Sequence, residues 1–168
     1  MIRKLHLVTA LMVLALVMLS VLPVAAQSRK NDIPVQQVPK EVLETLEAYA
    51  KALSAETLEK CAEAFVAIAG GSLVDETGSR LSTDVPQFSL KKDHANFRFY
   101  AVPLQITRVN KSVSNGDGYG FSAIKGTVYK IWIGKKPGTA GMPAPISIMV
   151  PEGHPTIKTP RVIGIGSL

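Results

Sequence analysis

The chain predicts an α+β fold, with N-terminal helices packed on a curved antiparallel β-sheet. Three observations lead there. Apolar residues recur at helical spacing between Pro39 and Ala69. From Tyr100 onward they recur at a period near two. Turn signals separate the later runs, so successive strands pair with their neighbours as a meander.

The first helix carries Val42, Leu43, Leu46, Ala50 and Leu53 on one face, with Glu41, Glu44, Glu47 and Lys51 between them. Pro39 suits its opening, where a missing N–H has no partner to lose. Ser54 or Thr57 can cap a second helix, whose apolar stripe is Leu58, Cys61, Ala62, Phe65 and Ile68. Gly70-Gly71 is expected to stop it. Ser72 to Asp75 reads as a short strand and Glu76 to Pro86 as a loop rich in Thr, Ser, Gly and Asp. A third, short helix is expected over about Leu90 to Phe97, with Ser89 as its cap.

The first long strand carries Val102, Leu104, Ile106 and Val109 and is expected to end near Asn110. Asn115-Gly116 and Asp117-Gly118 then predict a hairpin turn over Ser112 to Tyr119. Phe121 to Ile133 returns as a strand with broken alternation. Ile124, Val128 and Trp132 share one parity, Ile131 and Ile133 the other. A bulge near Tyr129-Lys130, or burial on both faces, would account for the switch. Strands at Ile146 to Val150 and Ile157 to Ile165 complete the set, and Pro160 places the last one at an edge or a strand start.

Residues 1–26 read as a signal peptide. Arg3 and Lys4 precede an apolar run ending at Leu22, and small residues at Val24 and Ala26 suit cleavage before Gln27. The expected product is secreted or periplasmic, with no stable membrane anchor after cleavage. Residues 27–38 read as a flexible lead-in and 39–168 as one domain. The net charge is +6, and two of those charges lie in the leader. The remaining basic residues are scattered, which argues against a nucleic-acid partner. Cys61 is the sole cysteine, so no intramolecular disulfide can form. On an apolar stripe it reads as a small buried hydrophobe.

No strong catalytic signature is present. There is no G-x-S-x-G, and Gly164-x-Gly166 follows a strand without opening a helix. Asn115 to Gly120 lacks the ligands of a calcium loop and the Lys-Ser/Thr of a phosphate loop. Asp93-His94 and Glu152-x-His154 have no metal-ligand spacing. No cofactor or metal is therefore expected.

The order of helix pair, short strand, third helix and antiparallel strands resembles the cone-shaped superfamily of nuclear transport factor 2, ketosteroid isomerase and the small polyketide cyclases. Leu46 to Phe65 looks like the family's first two helices. Ser72 to Gly78 looks like its first strand and loop, and Phe88 to Phe97 sits where its third helix belongs. The resemblance implies a cleft between helices and sheet. In ketosteroid isomerase a tyrosine on the first helix, a carboxylate base on the first strand and a protonated aspartic acid on a later strand do the chemistry. Tyr49 falls at the tyrosine's place. Asp75 aligns with the base if Gly70-Gly71 is an insertion. Phe121 to Ile133 carries no acid, which removes the second donor to an oxyanion and costs on the order of 100-fold in rate.

Three functional readings follow. The first is an exported small-molecule-binding or accessory domain that holds a small apolar ligand or forms a homodimer through the sheet face. The second is an isomerase, cyclase or dehydratase using Tyr49 and Asp75, with His94 exchanging protons in the cleft. A partner-binding domain with no cavity is the third reading, expected if bulky side groups fill the cleft.

Overall fold

The computed structural model describes residues 30–168 apart from residue 83. The signal-peptide reading falls outside these residues. Three helices, α1 (Lys40–Leu53), α2 (Leu58–Val66) and α3 (Asp84–Asn96), pack against a four-stranded sheet. Its strands are β1 (Ile106–Asp117), β2 (Ile124–Ile133), β3 (Ala144–Pro151) and β4 (Arg161–Gly164), antiparallel throughout in the order β1-β2-β3-β4. The sheet is open, and the fold class is α+β.

Local sequence explains α1 and α2. The Pro39 carbonyl accepts from Val42 and Leu43, which starts α1. Thr57 caps α2 by accepting from the Lys60 N–H at 3.3 Å. Both helices turn their apolar stripes inward. Val42, Leu46, Tyr49 and Leu53 meet Cys61 and Phe65 in one core. α1 lies against β3 and β4, and α2 bridges α1 and α3. Ile131, Ile133, Ile146 and Ile148 supply the sheet's side of that core.

Corrections fall at four places in the chain. α2 ends at Val66, with the Phe65 carbonyl accepting from Ile68 and Ala69, so Gly70-Gly71 lies beyond its end. Ala69 instead bridges Val162 in parallel, and Gly71–Leu73 is a 3-10 turn rather than a strand. Gly71 (φ 60) lies against the Asp117 carboxylate, where a β-carbon would collide. α3 begins six residues before Leu90, within the expected loop. Pro86 fits there because the first helical turn needs no N–H partners.

β1 is the third correction. It starts at Ile106 and runs to Asp117, so the Asn115-Gly116 and Asp117-Gly118 signals do not make the tight turn. Its register against β2 shifts between Ser114 and Asp117, and the reversal falls at Gly118 to Ala123. The fourth concerns β2. Its pairing is unbroken at Tyr129-Lys130 on both sides, so no bulge lies there. The buried parity changes between Gly126 (φ 149) and Tyr129, after which Tyr129, Ile131 and Ile133 face the core.

The lead-in is partly held. Ile33 donates to the Val109 carbonyl at 3.0 Å, and Lys111 donates to the Asn31 carbonyl at 2.9 Å. Residues 31–33 thus cover the first half of the β1 edge, which blunts a row of unpaired backbone groups. Arg108 fastens this contact by donating to both Asp32 oxygens while stacking over Trp132 at 4.1 Å.

Candidate functional site

Tyr49 points into the interior from α1 and is 1 % exposed. Its hydroxyl donates to Asp93 Oδ2 at 2.7 Å, and its ring packs on Phe65 with centroids 5.4 Å apart. Asp93 sits on α3 with no solvent exposure. Besides Tyr49 it accepts from the backbone N–H of Gly166 at 2.7 Å and of Leu168 at 2.9 Å. Lys92 donates to the Gly166 carbonyl, and Asn96 to that of Leu168. One buried carboxylate therefore joins α1, α3 and the segment after β4.

The electrostatics follow from burial. Tyr49's hydroxyl is held well above its usual range, first by desolvation and then by the Asp93 charge. Desolvation also raises Asp93, against the pull of the Gly166 N–H, the Tyr49 hydroxyl, the Leu168 N–H and Lys92. The pair rests as a phenol donating to a carboxyl group, with both partners consumed. Chemistry on a substrate would need at least one of them to reach solvent or a cavity.

Asp75 lies elsewhere, in the loop after α2. Oδ1 accepts from the Thr77 hydroxyl at 2.8 Å and the Ser79 N–H at 3.0 Å, and Oδ2 accepts from Arg80 Nε at 3.0 Å. The Thr77 bond most of all, with Ser79 and Arg80, pulls its carboxyl down to about 2. A base tuned that low removes protons poorly. The depression also fixes a pH response. A carboxyl lowered on folding lends its stability above its unfolded range and loses it as pH falls through about 2. The amide resonances of Thr77 and Ser79 should therefore hold their native positions through mild acid and shift only near that pH. Collapse of the turn at pH 4 to 5, roughly the range of an unperturbed carboxyl, would contradict this.

His94 is half-buried, and its Nε2 lies 2.9 Å from the Ala55 carbonyl. A carbonyl only accepts, so Nε2 carries the proton and ties α3 to the α1–α2 corner. The structure therefore gives Tyr49, Asp75 and His94 separate hydrogen-bond partners and joins none of them to another. Cys61 is fully buried, and burial first, then Asp93, pushes its thiol up to about 11, far from a nucleophile's range.

Asp93 is the residue whose role the sequence reading missed. It stands in Lys91-Lys92-Asp93-His94, which looks like a solvated charge run. Yet Pro86, Leu90, Asp93 and Phe97 recur at intervals of four, three and four, and all four are buried. An acid on an apolar stripe was the available signal.

The surface offers open clefts. One of about 510 Å³, at the β1–β2 reversal, is lined by Asp117, Tyr119, Lys125, Glu152 and His154. His154 organises it. Nδ1 accepts from the Ile157 N–H at 2.8 Å, while Nε2 lies 2.9 Å from the Phe121 carbonyl. Its ring also meets Phe121 edge-on at 5.6 Å. Tyr119 and Phe121 remain 79 % and 52 % exposed there. A second groove, about 370 Å³, runs along α1 between Leu43, Ala50, Phe97, Leu104 and Ile106, with Glu47 and Lys51 among its lining residues. Among the described residues no group of three or more His, Cys, Asp or Glu is placed to hold a metal, and no helix is long and apolar enough to cross a membrane.

No protein-family model, curated protein or solved structure matches this sequence.

Proposed function

We propose that the protein is an exported accessory domain that acts through its surface, by binding a macromolecular partner at the β1–β2 reversal. The observation that carries this is the filled interior. Tyr49, Phe65, Leu46 and Leu90 are all at most 2 % exposed where the resemblance would place a ligand. Catalysis at Tyr49 would require opening the core. Asp75 lines an open surface cleft of about 710 Å³, but a carboxylate held that low is a poor base there. The order of helix pair, third helix and antiparallel meander supports kinship with the cone-shaped superfamily, from which the 3-10 turn at Gly71–Leu73 departs, and the cleft would here be closed by core residues. The predicted leader, cleaved before Gln27, supports export.

The reversal suits a contact surface. Two exposed aromatics beside a cleft with both charge signs combine apolar area with polar anchoring, the usual character of recognition patches. Self-association through the outer sheet face is less favoured, because Arg108 and Lys130 flank Trp132 there and would face their own copies. A second reading is a small apolar ligand laid in the α1 groove, whose volume falls near the lower end for ligand sites.

The test is native mass spectrometry and cross-linking on residues 27–168 recovered from the native host. A cross-linked protein is expected, and it should vanish in the Tyr119→Ser/Phe121→Ser double variant while the melting midpoint holds. Loss of more than tenfold in affinity is expected if these rings are central, about 1.4 kcal/mol or more. A retained small-molecule mass with no partner would move the assignment to the α1 groove.

A further inference from the structure

We propose that Asn115 is a site of spontaneous covalent modification, in which the backbone nitrogen of Gly116 attacks its side-chain amide. The register places the pair outside the ladder. Ser114 faces Gly126 and Asp117 faces Ile124, so Asn115 and Gly116 occupy the bulge without partners on β2. Both residues are exposed. Asn115's side-chain amide makes no hydrogen bond among the described residues and can swing over the next peptide. A β-carbon built on Gly116 meets nothing within 4 Å, so a ring has room to form. The covering segment, residues 31–33, reaches only to Lys111 on the opposite edge.

One contact opposes the reaction. The Gly116 N–H donates to Ser114 Oγ at 3.3 Å, and Ser114 Oγ donates to the Gly116 carbonyl at 3.2 Å. Both bonds are exposed and longer than the usual optimum, so they hold the nitrogen weakly. The neighbouring Asp117-Gly118 pair is held differently. The Asp117 carboxylate accepts from the Ser72 N–H at 3.3 Å, and Gly118 (φ 84) lies against the backbone of Gly71, too close for any β-carbon. The reaction is thus assigned to Asn115.

The step balances without a further reagent except water. A bond forms between the Gly116 nitrogen and Asn115 Cγ, and the bond from Cγ to the amide nitrogen Nδ2 breaks. Ammonia leaves with the proton from the Gly116 nitrogen. Water then opens the ring at either carbonyl, leaving an aspartyl or isoaspartyl linkage at position 115. The product adds one negative charge beside Asp117 on the rim of the cleft that also holds Glu152 and His154. Asparagine counts among the thermolabile residues for such reasons.

The experiment incubates the folded protein at neutral and mildly alkaline pH, then digests it with trypsin. Cleavage after Lys111 and Lys125 releases a peptide with Asn115 as its sole asparagine. A mass gain of one dalton in that peptide is expected, faster at higher pH, with isoaspartate at position 115 and none at Asp117. Gly116→Ala should fold with an unchanged melting midpoint, since its β-carbon meets open space. It should slow the conversion by about tenfold or more, because the added methyl group crowds the attacking nitrogen. If the folded protein keeps Asn115 while the free peptide converts fully, the proposal falls. Equal rates in Gly116→Ala overturn it as well.

Discussion

Asp93→Ala is expected to lower the unfolding free energy by about 3–5 kcal/mol, measured by chemical denaturation. Three donors lose their acceptor at once: the Tyr49 hydroxyl and the N–H groups of Gly166 and Leu168. The Tyr49 and Leu168 donors are buried and the Gly166 N–H part-buried, and a buried donor left unpaired costs about 1–3 kcal/mol. Asp93→Asn keeps the shape and should cost less. One oxygen can still serve Tyr49 and Gly166, but the amide then turns its own N–H₂ toward the Leu168 N–H. If Asp93→Ala stays within about 1 kcal/mol of the parent, Asp93 does not organise the segment after β4.

Phe65→Ala is expected to cost a similar amount, about 3–5 kcal/mol, for a different reason. The ring is fully buried at the meeting of α1 and α2 and packs against Tyr49. Its removal leaves a cavity that two short helices joined by a four-residue corner cannot close by sliding together. Either substitution takes a large part of the roughly 5–15 kcal/mol that holds a typical domain folded. The two should not add, because both disturb the setting of the Tyr49 ring. A combined loss clearly below the sum, read from the double variant, is the expected result.

The parts of this fold that were legible in sequence are those where periodicity and burial agree. The stripes of α1 and α2 and the antiparallel succession of strands are of that kind. α3 was half hidden because only some of its apolar residues share the buried face. Val85 and Phe88 are exposed while Asp93 is buried, so tertiary packing overrode the pattern. The reversal was misplaced for a related reason. Asn-Gly and Asp-Gly tolerate positive φ without requiring it, and here the bulge absorbed one pair while Gly118 began the true turn. Tyr49 stood out in sequence as a candidate cleft residue, but the structure pairs it with Asp93 inside the core. Asp75 and Asp93 are both aspartates near apolar runs, and only the long-range placement of Gly166 and Leu168 distinguishes their environments.

The bonds from Gly166 and Leu168 to Asp93 also bear on timing. They span 73 and 75 residues of sequence. Synthesis and any vectorial passage through a pore deliver α3 long before these two donors exist. Until Gly166 and Leu168 emerge, Asp93 has only Tyr49 and water to satisfy it, and burying it costs more than in the finished fold. Closure of the helices over their core is therefore less favourable before residues 161–168 arrive, and a chain lacking them is expected to be more open to proteases.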